Sequence, residues 1–219
     1  MFHDRQDAAR QLAELLKGRL FHDPLVLAIP RGGVAIGAVL AQELGADLDV
    51  VLSRKLGAPG QPELAIGAIS EDGRVYFNEY GREAFDVNDP YLVRERKHQL
   101  MEIAKRKELF RRIRPRAPIR GRSVIVTDDG IATGSTMIAA LRTIRSEQPH
   151  EVIVAVPVAP PARLRTIRNW CDQAICLLCP EDFWAIGQFY EDFGQLDDDE
   201  VAELFRSADS HTEAVERGA

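Results

Sequence analysis

Residues 124–137 read VIVTDDGIATGSTM. Val124 to Thr127 have the composition of a buried strand, Asp128 and Asp129 stand at its carboxyl end, and Gly130 to Thr136 form a turn of small and hydroxylated residues. Two neighbouring aspartates repel each other, so something at that strand end must compensate. In open α/β sheets ligands collect beyond the carboxyl ends of the strands, where this stretch delivers both acids. Gly130, Thr133, Gly134, Ser135 and Thr136 offer unobstructed backbone N–H groups and three hydroxyls. The helix predicted to follow, with Met137, Ala140, Leu141 and Ile144 on one face, points the positive end of its dipole at the same turn. Such a turn suits a phosphate, and paired carboxylates suit hydroxyls or a metal ion. A sugar phosphate carries both kinds of group. Helix capping by aspartate is the plain alternative, but one cap needs only one carboxylate.

To either side the chain alternates strand-like and helix-like segments, the pattern of an α/β domain with a largely parallel sheet flanked by helices. Ala8, Leu12, Leu15 and Leu16 share one face of an N-terminal helix. LVLAIP (25–30) reads as a buried strand, VAIGAVLAQEL as a helix and LDVVLSRK (48–55) as a second strand. ELAIGAI and RVYFNE flank SEDG as a hairpin turn, and residues 88–114 have helical composition. SVIVTDD, EVIVAVPV and QAICLLC give three more buried strands, separated by helices around 134–147 and 161–170. One domain is expected over 1–206, with a small hood drawn from 56–115, from 180–206 or from both. The polar residues 207–219 are expected to be disordered.

Composition sets the outer bounds. With 219 residues, 45% of them hydrophobic and 28% charged, the chain can bury one good core. A net charge of −6 gives no global attraction to nucleic acid or an anionic membrane. No apolar run is long enough to span a bilayer and the N-terminus lacks the charge pattern of a signal peptide, so a cytoplasmic location is expected. Cys171, Cys176 and Cys179 include one C-x-x-C, but Leu177 and Leu178 lie between its sulfurs and no histidine is near in sequence. They read as buried reduced thiols rather than a zinc site.

At VIVTDDGIATGST the chain resembles the type I phosphoribosyltransferases, whose signature is four apolar residues, two acidic residues, a short spacer and Thr-Gly-x-Thr. The resemblance implies a Rossmann-type parallel sheet, and a reaction in which the 5-phosphoribosyl group of phosphoribosyl pyrophosphate (PRPP) passes to a nitrogen acceptor, a nucleobase-like heterocycle, with release of pyrophosphate. It assigns Asp128 and Asp129 to the ribose hydroxyls, and Gly130, Ile131, Ala132, Thr133, Gly134, Ser135 and Thr136 to the 5-phosphate. Gly130 departs from the apolar residue more common there. Ala132 stands where the enzymes for 6-oxopurines carry an aspartate near the purine N7, so hypoxanthine and guanine are expected to be poor acceptors.

Two further segments fit. AIPRGGVAIG puts Arg31, Gly32 and Gly33 between a strand and a helix, a second anion site by the same reasoning, and family members use the equivalent loop, often with a cis peptide, to hold pyrophosphate. Arg54 and Lys55 precede a Gly/Pro-rich stretch, 56–66, expected to be a loop that closes over the site; similar pairs contact pyrophosphate in adenine-type and orotate-type members. Arg31, Arg54 and Lys55 are thus the expected catalytic cations, stabilising charge on the departing pyrophosphate. A Mg2+ ion, held mainly by substrate oxygens, with Asp128 or Asp129 as the protein groups that could reach it, is the implied cofactor. The chain looks most like stand-alone members that carry PRGG, RKLGAPG and DDGIATGST together.

The acceptor site is open. AVPVAPPAR and the segment 180–194 are candidates, but Phe183, Trp184, Phe189, Tyr190 and Phe193 read as packing more than as acceptor contacts. The second function class is a PRPP or nucleotide sensor of the same fold that binds RNA or DNA. Its foothold is the stretch 94–122, with twelve Lys/Arg against three Glu. Residues 181–203 carry nine Asp/Glu and no Lys or Arg, so the acidic segment is expected to dock on the basic helix, within one chain or across a homodimer, with the aromatic residues of 183–193 supplying the contact energy. Family members commonly pair, and a homodimer is implied.

Overall fold

The computed structural model describes residues 1–77, 79–86 and 89–207, without the side chains of Pro62, Glu63 and Glu79. The chain runs α1 (Arg5–Leu16), β1 (Leu25–Ala28), α2 (Gly32–Leu44), β2 (Asp47–Val50), β3 (Ser53–Ala58), β4 (Gln61–Ser70), β5 (Val75–Phe77), α3 (Glu79–Ala84) and α4 (Pro90–Ile113). It continues through β6 (Ser123–Thr127), α5 (Ser135–Ser146), β7 (Glu151–Val158), α6 (Pro161–Ile167), β8 (Gln173–Leu178), a 3-10 turn (Ile186–Phe189) and α7 (Asp198–Ser207).

Five strands in the order β2-β1-β6-β7-β8, all parallel, form the main sheet. Helices cover both of its faces, which is why its central strands read as unbroken apolar runs. Val26, Ala28, Ile125, Ile153 and Ala155 face a cluster with Leu12, Ile36, Leu40, Ile103, Phe110 and Phe205. Their sequence neighbours Leu25, Leu27, Val124, Val126, Val152 and Val154 face Met137, Leu141, Ile144 and Ile167 on the other side. The period of two along each strand thus sorts one apolar run into two cores.

LDVVLSRK is not one strand. Asp47–Val50 belongs to the main sheet, and Ser53–Ala58 opens a separate antiparallel sheet, β3-β4-β5. Buried Val51 and Leu52 carry the chain between them, so nothing polar marks the break. The stretch 56–66, expected as a loop, is instead occupied by the β3–β4 hairpin, which turns at Gly60 with φ +71°. The turn at SEDG is present, with Gly73 at φ +81° and Ser70 N–H donating to the Arg74 carbonyl.

An ion network fixes the small sheet to the large one. Asp49, 1% exposed, accepts from Arg111 Nη1 at 2.7 Å and from the Ala117 N–H at 2.9 Å, while Arg111 Nη2 donates to Glu71 in the hairpin turn at 3.0 Å. Helix α7 was not expected; it packs along α4 with Phe205 edge-on to Phe110, ring centroids 5.4 Å apart, and Arg114 over Phe205 at 4.1 Å. The acidic segment therefore does meet the basic helix within one chain, but through Phe205 rather than the aromatic residues of 183–193. Cys171 and Cys176 are half-buried free thiols, whereas Cys179 is exposed, against expectation. Among the described residues no helix is long and apolar enough to cross a membrane. Ser207 closes α7, and the remainder of the stretch expected to be disordered, 208–219, lies outside the described residues.

Candidate active site

Strand β1 runs out into Ile29 and Pro30, and the peptide between Pro30 and Arg31 is cis. Helix α2 starts at once with Gly32 and Gly33, and both glycines are required by closeness rather than by dihedral angle. A Cβ on Gly32 would lie 1.9 Å from Asp129 Oδ2, and one on Gly33 would lie 2.9 Å from the Thr127 carbonyl oxygen. The PRGG and DDG turns, nearly a hundred residues apart, are therefore in direct contact.

Asp128 is half-buried at the end of β6 and accepts a hydrogen bond from the Asp129 N–H at 2.9 Å. Asp129 is 8% exposed, and its Oδ2 accepts from Arg5 Nε at 2.9 Å. Burial, and then the neighbouring Asp129 charge, push the Asp128 carboxyl well above the ordinary carboxylate value. Burial also raises Asp129, but Arg5 opposes it. Of the two, Asp128 is the carboxyl pushed further toward its neutral form, because Arg5 lies against Asp129.

Behind the acids, Ile131 is buried and its N–H donates to the Val158 carbonyl at 2.9 Å, which anchors the turn to β7. Gly134 takes φ +82°, a conformation natural to glycine, and opens α5. Ala132, Thr133 and Thr136 are exposed around this helix N-terminus, with Ser135 half-buried. Gly130 has a separate reason to lack a side chain: a Cβ there would lie 2.7 Å from Ile186 Cγ2.

On the far side of Pro30 a cavity of about 220 Å3 is lined by Pro30, Arg54, Lys55 and Thr136 together with Gln99 and Arg106 of α4. Arg54 Nε donates to Gln99 Oε1 at 3.0 Å. Burial, then the positive charge of Arg54 and, more weakly, of Arg31, lowers the Arg106 guanidinium from its ordinary value against the pull of Asp198 and Glu102. Arg54 and Arg106 thus stand with Lys55 at one cavity, whose lining also includes Glu95 and Glu102, and Arg31 adds positive charge felt at Arg106.

Over residues 1–193 the sequence matches the family profile described as the phosphoribosyl transferase domain. The chain belongs to the phosphoribosyl transferase family. It is 41% identical over 219 residues to two Mycobacterium tuberculosis proteins provisionally named phosphoribosyl transferases, MT0597 and Rv0571c, matching all of this chain and 49% of each of theirs. The chain thus spans about half the length of the curated relatives it matches. Its fold superposes on the crystal structure of TT1426 from Thermus thermophilus with a TM-score of 0.89 and 42% identity, covering 94% of this chain and 98% of that one. The AQ2163 protein of Aquifex aeolicus shares the fold at a TM-score of 0.51 and 14% identity, over 84% of this chain and 76% of that one.

In this member of the phosphoribosyl transferase family the expected residues fall into two groups. Arg54, Lys55 and Thr136 line the cation cavity, with Arg31 near enough to act on Arg106. Asp128 and Asp129 pack against Gly33 and Gly32 and are not part of that lining, so Thr136 is where the turn behind the acids reaches the cavity. Four residues were missed. Arg5 and Tyr190, which donates its hydroxyl to the Asp129 carbonyl at 2.6 Å, carry no local signal of their partner. Ile186 likewise lies far in sequence from Gly130. Arg106 did have a signal, since Glu95, Gln99, Glu102 and Arg106 repeat at helical spacing as one polar face.

The segment 183–193 serves mainly as packing. Tyr190 stacks on Phe193 at 4.9 Å and lies 5.3 Å from Phe2, and Phe183 lies 5.3 Å from Phe189. Trp184 is the exception at 92% exposed. Burial, with help from Cys179, pushes the Cys176 thiol up to about 12, so it is no ready nucleophile.

Proposed function

We propose that the chain transfers the 5-phosphoribosyl group of PRPP to a ring nitrogen of a heterocyclic acceptor and releases pyrophosphate. The observation that carries this reading is that Arg54, Lys55, Arg106 and Thr136 line one cavity, with Arg31 adding charge near Arg106, one glycine turn away from the Asp128–Asp129 pair. Like charges brought together on both sides of one turn suit a ligand with a multivalent anion at one end and hydroxyls at the other.

In the reaction the bond from ribose C1 to the diphosphate oxygen breaks, cationic character develops on the sugar, and the acceptor nitrogen forms the new bond to C1. Arg31, Arg54, Lys55 and Arg106 stabilise the charge growing on the leaving diphosphate. Asp128 and Asp129 accept from the ribose hydroxyls. The turn 132–136 at the start of α5, where Ala132, Thr133 and Thr136 are exposed, takes the 5-phosphate. The β3–β4 hairpin and α4 form the hood over the diphosphate, and with the main sheet they make one catalytic domain over 1–206. Trp184, exposed two residues before Ile186, is the candidate for stacking on the acceptor.

Among the described residues no three His, Cys, Asp or Glu side chains form a metal-binding cluster. Asp129 is engaged by Arg5, so the donor set fits a magnesium ion carried in on diphosphate and ribose oxygens, not one caged by protein. Once bound, the ion would supply neutralising charge to the diphosphate. The basic stretch gives the sensor reading little support: Arg111, Arg114, Arg116 and Arg122 all make contacts within the chain. A homodimer stays part of the proposal on family resemblance, and light scattering tests it.

The deciding experiment screens purines, pyrimidines and other nitrogen heterocycles for pyrophosphate release from PRPP with magnesium. Release with any acceptor supports transfer. Absence of both release and PRPP binding by calorimetry would overturn the reading.

A further inference from the structure

We infer that Arg5 is a positioning residue for this site: from the first turn of α1 it holds the Asp129 carboxylate in the orientation that receives ribose. The inference rests on the reading above, that Asp128 and Asp129 bind the sugar. Arg5 Nε donates to Asp129 Oδ2 at 2.9 Å, and both side chains are only 12% exposed.

The guanidinium is itself held from several sides. Its Nη1 donates to the Gly194 carbonyl at 2.9 Å, and its plane lies 3.9 Å from the centre of the Phe193 ring. Phe193 stacks on Tyr190, and Tyr190 returns to the Asp129 carbonyl through its hydroxyl. Asp129, Arg5, Phe193 and Tyr190 therefore close a ring of contacts. The same Asp129 oxygen, Oδ2, occupies the space that a Cβ on Gly32 would need, at 1.9 Å. Arg5 engages Oδ2, so Oδ1 keeps acceptor capacity for a sugar hydroxyl.

Charge gives the arrangement a second use. A substrate with a phosphate and a diphosphate must settle beside two carboxylates, and Arg5 cancels one of those charges without filling the cavity on the other side of the PRGG turn. A further lysine or arginine placed in the cavity could not do this, because it would be taken up by the diphosphate. The cation is supplied instead from behind, by the N-terminal helix.

The test is calorimetric titration of PRPP with magnesium into the wild type, Arg5→Lys, Arg5→Met, Asp129→Asn and the Arg5→Met/Asp129→Asn double variant, with a thermal melt of each. Arg5→Met, which keeps bulk over Phe193, is expected to weaken PRPP about tenfold or more, as loss of a charge-assisted bond implies. Arg5→Lys is expected to recover part of that loss. Because Arg5 acts through Asp129, the double variant should bind within about twofold of Asp129→Asn alone. Should Arg5→Met lose its melting transition, the cycle with Arg5→Lys carries the same comparison. Arg5 variants that bind like the wild type, or losses that multiply in the double variant, overturn the inference alone. Failure of the wild type to bind PRPP overturns the reading beneath it as well.

Discussion

Replacement of Gly32 by alanine is the sharpest single perturbation of this site. The added Cβ would stand 1.9 Å from Asp129 Oδ2, 2.3 Å from its Cγ and 3.0 Å from Oδ1. To reach even the shortest contact that real methyl groups make, the carboxylate must retreat by about 1.1 Å. A flexible acid could do so at little cost, but this one is tied to Arg5 at 2.9 Å, and its backbone carbonyl is tied to Tyr190. Either the ion pair stretches or α2 shifts from β1. Overpacking of this kind costs about 1–3 kcal/mol. At about 2 kcal/mol the melting temperature should fall by roughly 4–8 °C for a chain of this size.

On the proposed reading the effect on function should be larger than the effect on stability, because displacing Asp129 would remove a charge-assisted acceptor from the ribose. Gly32→Ala is expected to weaken PRPP by about tenfold or more in a calorimetric titration. Gly194→Ala is the matched control: its Cβ would meet nothing nearer than Asp192 Oδ1 at 3.9 Å, so both readouts should stay near wild type. A Gly32→Ala protein with unchanged melting temperature and unchanged PRPP affinity would refute the claim that close approach to Asp129 is what requires glycine here.

Three further outcomes are expected. Asp128→Asn should weaken PRPP binding about tenfold or more while raising the melting temperature; because burial raises this carboxyl in the folded state, its ionised form costs stability above the ordinary value of 3.8, so the gain should be present at pH 7 and vanish in melts below that value. Arg106→Ala should lower turnover with any acceptor found in the screen more than it weakens PRPP, since it faces charge that grows as the diphosphate leaves; equal losses in both would make it a simple anchor. Gly130→Val should be defective because its side chain meets Ile186 and Val158, and adding Ile186→Ala, which removes the nearer contact, should recover part of the PRPP binding; no recovery in the double variant would mean that the turn needs glycine for another reason.

Features written in consecutive residues were legible in the sequence, and features made by distant partners were not. The strand, the acid pair and the turn of 124–137 lie together in the chain, and so do PRGG and the hairpin at SEDG. The break inside LDVVLSRK was hidden because the residues that turn between sheets, Val51 and Leu52, are as apolar as the strands they join. Helix α7 did leave a trace, with Val201, Ala202 and Phe205 at helical spacing, but its acid-rich first turn gave it the look of a solvated segment. Arg106 was read as one member of a basic run, although it stands three residues after buried Ile103 and four before buried Phe110, at the edge of the face that α4 turns inward. Nothing near Arg5 announces Asp129, 124 positions away.

The departure at Gly130 illustrates how one local exception can be set by a distant residue. An apolar side chain at that position would help anchor the turn behind the acids. Here Ile186, delivered by the segment that follows β8, occupies the space such a side chain would need, and Val158 of β7 closes it at 3.0 Å. The anchor is therefore supplied from outside the turn, and the same segment goes on to place Tyr190 against the Asp129 carbonyl and Phe193 under Arg5. A segment read mainly as packing thus also braces the acid pair at the end of β6. That in turn explains how the two acids tolerate each other: Arg5 offsets the Asp129 charge from behind, and Tyr190 and Phe193 hold the acid and the guanidinium in place.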